Sequence, residues 1–210
     1  MRTAFSWTAV FRDQVVLLGN DPYYYQHVLE TILQTDASVG DRAGGEVLLL
    51  AVLSGAASLL GGSSQDVASV LAWYPVVAAV LAGVLVYATA VLAFDDWRVG
   101  LASLAFYAVT PIVAYRSALG YGDHHAFDYL LVALAVTGLV ALAGDRRHWR
   151  DVTARRLGGF LALGVAVPAL VHAWRGGALL VLPVGAYVAF GSASALRDDV
   201  SPLREHAWLL

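Results

Sequence analysis

Five apolar runs, Val67 to Phe94, Val99 to Tyr115, Phe127 to Gly144, Leu157 to Trp174 and Gly177 to Leu196, decide what this chain can become. A helix needs about 20 such residues to cross the roughly 30 Å of bilayer hydrocarbon. Lipid offers no partner to a backbone N–H or C=O, so a chain with spans of this kind folds as helices. The expectation is an all-α polytopic membrane helix bundle with five spanning helices and the lipid bilayer as its solvent. Composition agrees, with 59% apolar residues, 14% charged and a mean hydropathy of +0.67. A sixth run, Val47 to Leu60, is rich in Gly, Ala and Ser and too short to span. Pro75, Pro111, Pro168 and Pro183 fall inside apolar runs, as bundled membrane helices tolerate.

Charge and cysteine content remove other classes. The chain has no cysteine, which excludes disulfides and thiolate metal sites. A net charge of -3 leaves no basic face, so nucleic acid is not expected as a partner. The opening "MRTAFSWTAVFRDQVVLLG" reads as neither a signal peptide nor a span. Three regions result: 1-66 as a first external loop with helices of its own, 67-196 as the transmembrane bundle, and 197-210 as a cytoplasmic tail.

Arginine placement orients the bundle. "DRRHWRDVTARR", Asp145 to Arg156, carries five of the 13 arginines and is expected in the cytoplasm by the positive-inside rule. Counting spans from there puts "YRSALGYGDHH" and Ser63 to Asp66 outside, with Asp95 to Arg98, Arg197 and Arg204 inside. With Val47 to Leu60 excluded from crossing, "GNDPYYYQ" and "YRSALGYGDHH" open on the same external side.

Both stretches have chemistry that exceeds packing. In "NDPYYYQHVLETIL", Pro22 suits the first turn of a helix and Asp21 the capping position before it. In "RSALGYGDHHAFDYLL", a Gly-Tyr-Gly turn delivers Asp123, His124 and His125 just before a span. Asp and His two apart at a helix start both reach one hard divalent cation. Capping accounts for either aspartate equally well, and a hydrated interface for the histidines. Arg116, seven residues before Asp123 at a membrane boundary, weighs against so plain a reading, because charge there is costly unless paired or functional. Asp128, on the following helix, is read as solvated rather than as a partner of the cluster. Tyr23 to Tyr25 suit interfacial packing.

An Asp in "NDPYYY", an Arg about a hundred positions on, a Gly/Tyr turn and Asp-x-His at a helix start together resemble the catalytic subunit of archaeal oligosaccharyltransferase. "QDVASVLAWYPVVAAVLAGVLVYATA" is similar to that family's second span, and "HAWRGGALLVLPVGAY" to its Trp-Gly-Gly segment entering the sixth. The resemblance implies a bundle of the GT-C glycosyltransferase type. It implies transfer of an oligosaccharide from a dolichol-linked phosphate or pyrophosphate to Asn of an Asn-x-Ser/Thr sequon in an acceptor polypeptide. The place would be the extracytoplasmic face of the cell membrane. It makes Asp21, Asp123 and His125 ligands of Mn²⁺ or Mg²⁺. Asp21 would also hydrogen-bond the acceptor amide, and Arg116 would hold the acidic cluster or meet the phosphate.

The same family carries a span before the first motif, about seven further spans after the sixth, an external loop with a glutamate, and a soluble domain with a Trp-Trp-Asp signature. These have no counterpart in this sequence, so the resemblance implies the N-terminal transmembrane part only, inactive in transfer by itself. Two other readings stand beside it. One is a different polyprenyl-phosphate-sugar glycosyltransferase of similar architecture. The other is a non-catalytic truncated membrane paralogue, in which Asp123 and His125 bind an ion or proton.

Overall fold

A computed structural model describes residues 10–11, 14–35, 37–42, 45–143, 153–199 and 201. Most of the arginine-rich loop expected in the cytoplasm, and Arg204, lie outside the described residues. A two-residue antiparallel pairing, Val10 with Val15 and Phe11 with Gln14, precedes the first helix. Helices α1 (Asp21–Thr35), α2 (Val39–Arg42) and α3 (Val47–Leu60) follow, so the first region is helical and α3 has the short length its sequence implied. Leu17, Tyr25, Leu29, Leu49 and Leu53 bury themselves with Val67 and Leu71 in a compact core at the start of α4 (Ser64–Phe94). That helix is started by a capping box, in which Ser63 N–H donates to Asp66 at 3.0 Å and Asp66 N–H to Ser63 Oγ at 3.3 Å.

The membrane part consists of α4, α5 (Trp97–Val109), α6 (Pro111–Arg116), α7 (His125–Ala143), α8 (Ala154–Ala173) and a 3₁₀ turn, Gly177–Val181, that runs into α9 (Leu182–Arg197). Four of these segments, Ser64–Phe94, His125–Ala143, Ala154–Ala173 and Gly177–Arg197, are long and apolar enough to cross a membrane. The chain is a multi-pass membrane bundle. The remaining expected span, Val99 to Tyr115, is divided at Thr110, whose backbone is extended (φ −60, ψ 117) before Pro111. A residue before proline is pushed out of the helical region, and Pro111 then serves as the first residue of α6.

Helix α7 packs on α4 and α8, while α5 packs on α4. Small residues set the closest approach: a Cβ on Gly138 would lie 3.0 Å from the Gly159 carbonyl oxygen, and one on Gly159 would lie 2.7 Å from Leu142 Cγ. At the α8 entrance, Arg155 lends its guanidinium to carbonyls at two helix ends, Ala141 O at 3.0 Å and Leu92 O at 3.3 Å. Backbone acceptors freed at helix ends are thereby satisfied inside the protein.

Candidate functional site

The loop between α6 and α7 is built against a defect in α4. Pro75 has no N–H to give Leu71, and the α6–α7 loop occupies the surface so opened. Gly120, at φ +85, donates its N–H to Ala72 O at 2.9 Å and accepts from Leu18 N–H at 2.7 Å. Gly122 sits so close that a Cβ there would lie 2.7 Å from Leu71 O. Tyr74 of α4 donates its hydroxyl to the Asp123 carbonyl. Helix α4 and the N-terminal segment therefore hold the backbone of Asp123 in place.

Asp123 is buried at 1% exposure and both its carboxylate oxygens are engaged. Oδ1 accepts from the His124 backbone N–H and faces His124 Nδ1, each at 2.6 Å. Oδ2 faces Arg116 Nη1 at 3.3 Å and His125 Nδ1 at 3.4 Å. Arg116 also donates to the Tyr121 hydroxyl, with its guanidinium 5.2 Å from that ring's centroid. Burial pushes the Asp123 carboxyl up, but the hydrogen bond and charge of His124, with His125 behind them, prevail and hold it below the ordinary range. For His124, burial pulls down, whereas the bond to Asp123 and the negative charges of Asp123, Asp128 and Asp21 prevail and raise it. Burial, with the negative charge of Asp123 next, raises the Tyr25 hydroxyl and keeps it neutral, 3.5 Å from His124 Nδ1.

Ligand atoms of Asp123, His124 and His125 all lie within 4.8 Å of one another, a group that can hold a metal ion. His125 Nδ1 is buried without a hydrogen-bond partner, as is Asp128 Oδ1. An unpartnered buried imidazole nitrogen beside a carboxylate oxygen fits a cation. Asp21 stands outside that group. It is the first residue of α1, with Asn20 supplying the carbonyl that Tyr23 and Tyr24 N–H groups bond at 3.2 Å, so the capping position falls one residue earlier than the sequence indicated. It is exposed, and the start of α1 lies against Tyr121, which a Cβ on Gly19 would approach to 4.0 Å.

The structure corrects the sequence reading of one site residue, Asp128, and adds another, Trp174. Asp128 is 8% exposed, not solvated, and its Oδ2 lies 3.8 Å from His124 Nε2. Its spacing of four from His124 was the available signal. Trp174, fifty positions on, stacks on the His124 ring with centroids 4.6 Å apart and planes at 26°. Behind this cluster an apolar cleft of about 810 Å³ runs from His124, Asp128 and Trp174 down between α4, α5 and α7 to Ala93 and Phe94.

No model of a known protein family matches the chain. It is 26% identical, over 223 aligned positions and 96% of its length, to dolichyl-phosphooligosaccharide-protein glycotransferase 3 of Archaeoglobus fulgidus, of which it covers 26%. The oligosaccharyltransferase of that organism solved with zinc and sulfate shares the fold with a TM-score of 0.71 and 27% identity. The match covers 88% of this chain and 25% of that one. This chain is a relative of the archaeal oligosaccharyltransferases. A further structure, the Archaeoglobus fulgidus oligosaccharyltransferase AglB with an inhibitory peptide and a dolichol-phosphate, also gives 0.71, at 26% identity over 88% of this chain and 23% of that one. The chain thus spans about a quarter of the length of the oligosaccharyltransferases it matches.

Proposed function

We propose that this chain is the donor-side part of an oligosaccharyltransferase, in which Asp21, Asp123 and His125 hold Mn²⁺ or Mg²⁺ at the extracytoplasmic face of the cell membrane. The observation that carries the reading is the buried, unpartnered His125 Nδ1 beside Asp123 Oδ2, at the head of an apolar cleft. A bound divalent cation would offset negative charge on the departing phosphate of a dolichol-linked oligosaccharide. Arg116, held by Asp123 and Tyr121, adds a fixed positive charge at the same place and is 30% exposed, so a phosphate oxygen has access to it. The isoprenoid chain would lie in the cleft between α4, α5 and α7. Asp21, exposed at the start of α1, would complete the ligand set and accept a hydrogen bond from the amide of an Asn-x-Ser/Thr acceptor. Acceptor transfer would require parts of the longer relatives.

Dolichyl phosphate binding by the 210-residue chain in nanodiscs tests this. Binding is expected to rise with Mn²⁺, to fall with chelator, and to lose its metal dependence in Asp123→Ala. Equal binding with and without metal would sink the reading.

A further inference from the structure

The segment "HAWRGGA", His172 to Ala178, forms the turn that carries Trp174 to the site. Helix α8 ends at Ala173, and Trp174 takes an extended backbone (φ −165, ψ 170). The chain then reverses so tightly that two glycines become obligatory. A Cβ on Gly176 would lie 2.6 Å from Trp174 Cζ2 and closer still to Cη2. A Cβ on Gly177 would lie 2.9 Å from the Leu170 carbonyl carbon and collide with its oxygen. Folding the turn back on itself turns the indole onto His124, ring against ring at 4.6 Å. The other edge of that imidazole faces Asp128 Oδ2 at 3.8 Å.

His124 in turn governs Asp123. Its Nδ1, at 2.6 Å from Oδ1, is close enough for a charge-assisted bond, which makes it the protonated nitrogen and the donor. Together with the backbone N–H on the same oxygen, it occupies Oδ1 and leaves Oδ2 facing His125 Nδ1 and Arg116. We propose that the Trp174-Arg175-Gly176-Gly177 turn is a positioning device: Trp174, with Asp128, fixes the His124 ring, and His124 fixes Asp123 so that Oδ2 alone faces the cation. His124 is then a positioning residue and not a ligand, although its nitrogen lies within the metal-sized group. The proposal rests on the metal reading above.

Mn²⁺ titration followed by EPR, on the 210-residue chain in detergent with helix content checked by circular dichroism, tests it. Groups behind metal ligands typically change affinity about 10- to 100-fold. Trp174→Leu, which keeps bulk without a flat face, and Gly176→Val are each expected to weaken Mn²⁺ binding by about tenfold or more, with Trp174→Phe recovering most of it. His124→Asn, whose amide N–H replaces the Nδ1–H, recovers what His124→Ala loses. Pulsed EPR is expected to show one coordinated imidazole nitrogen, lost in His125→Ala and kept in His124→Asn. Mn²⁺ bound as tightly by Trp174→Leu and Gly176→Val as by the parent chain, or two imidazole nitrogens on the metal, would overturn the positioning role and leave the metal reading standing. A parent chain that binds no Mn²⁺ would overturn both.

Discussion

The N-terminal end of α7 and the body of α9 both belong to apolar helices and are held in opposite ways. Around α7, Asp123, His124, Asp128 and Arg116 are tied together within a few ångströms, and loop and helix meet where glycine replaces any side chain. In the last spanning segment only 6% of the most apolar window is buried, and Leu182, Phe190 and Leu196 face outward at 65%, 78% and 63% exposure. A polar group surrounded by hydrocarbon must find its partner within the protein, whereas an apolar side chain there needs none. Precision is therefore concentrated at the site end of the bundle.

The largest effects should come from the cluster. Asp123→Ala or His125→Ala is expected to lower Mn²⁺ affinity by more than about 100-fold, since each removes a ligand outright. Phe190→Ala on α9 is expected to leave it unchanged. Calorimetric titration in detergent reads both, and a metal affinity that survives His125→Ala would place the ion elsewhere.

Next in size are the close approaches. Gly122→Val brings a side chain onto the Leu71 carbonyl, and Gly159→Val onto Leu142, so each should cost about 1–3 kcal/mol of stability. Denaturant titration in mixed micelles would show it. The two differ in a second measurement: Gly122→Val moves the loop that holds Asp123 and should also weaken metal binding, while Gly159→Val should spare it.

Spans were legible in the sequence because lipid enforces them. Val67 to Phe94 became Ser64–Phe94, and Phe127 to Gly144 became His125–Ala143. The start of α1 was legible from Asp21 and Pro22, and the shortness of α3 from the length of its apolar run. The break at Thr110 was not read, although a β-branched residue before Pro111 carried the signal. Within the site, Asp123 and His125 stood out as neighbours in sequence. The stack of Trp174 on His124 depends on how α8 returns along α7, and such a contact between residues fifty apart has no local signature. Asp128 looked solvated because its sequence neighbourhood is an ordinary helix start; its burial comes from the packing of other helices.

A smaller effect is expected from pH in the metal-free chain. The Asp123 carboxyl is lowered by its surroundings, so its contribution to stability is present above the unfolded value of about 4 and fades as pH falls through the folded one. His124 is raised, so its contribution is full below about 6.5 and fades as pH rises through the folded value. Thermal stability should therefore be greatest between those limits. His124→Asn should abolish the alkaline decline and leave the acid one, and an unchanged alkaline limb in that variant would remove His124 from the pair.

The smallest effect tests the other side of the comparison. Gly185 lies in α9, and a Cβ placed on it meets nothing within 4 Å. Gly185→Leu adds a bulky apolar group to a surface that already exposes Leu182 and Phe190, so in lipid it neither clashes nor strands a polar atom. Replacing glycine inside a helix also removes backbone freedom from the unfolded chain, which favours the folded one slightly. The net change should lie within about 0.5 kcal/mol, against the 1–3 kcal/mol of Gly159→Val. A loss above about 1 kcal/mol would mean that this face of α9 is packed against protein in the folded state, because a side chain surrounded by lipid has no contact of that size to lose. Crosslinking between single cysteines introduced at Gly185 would then show whether a second copy of the chain provides the cover.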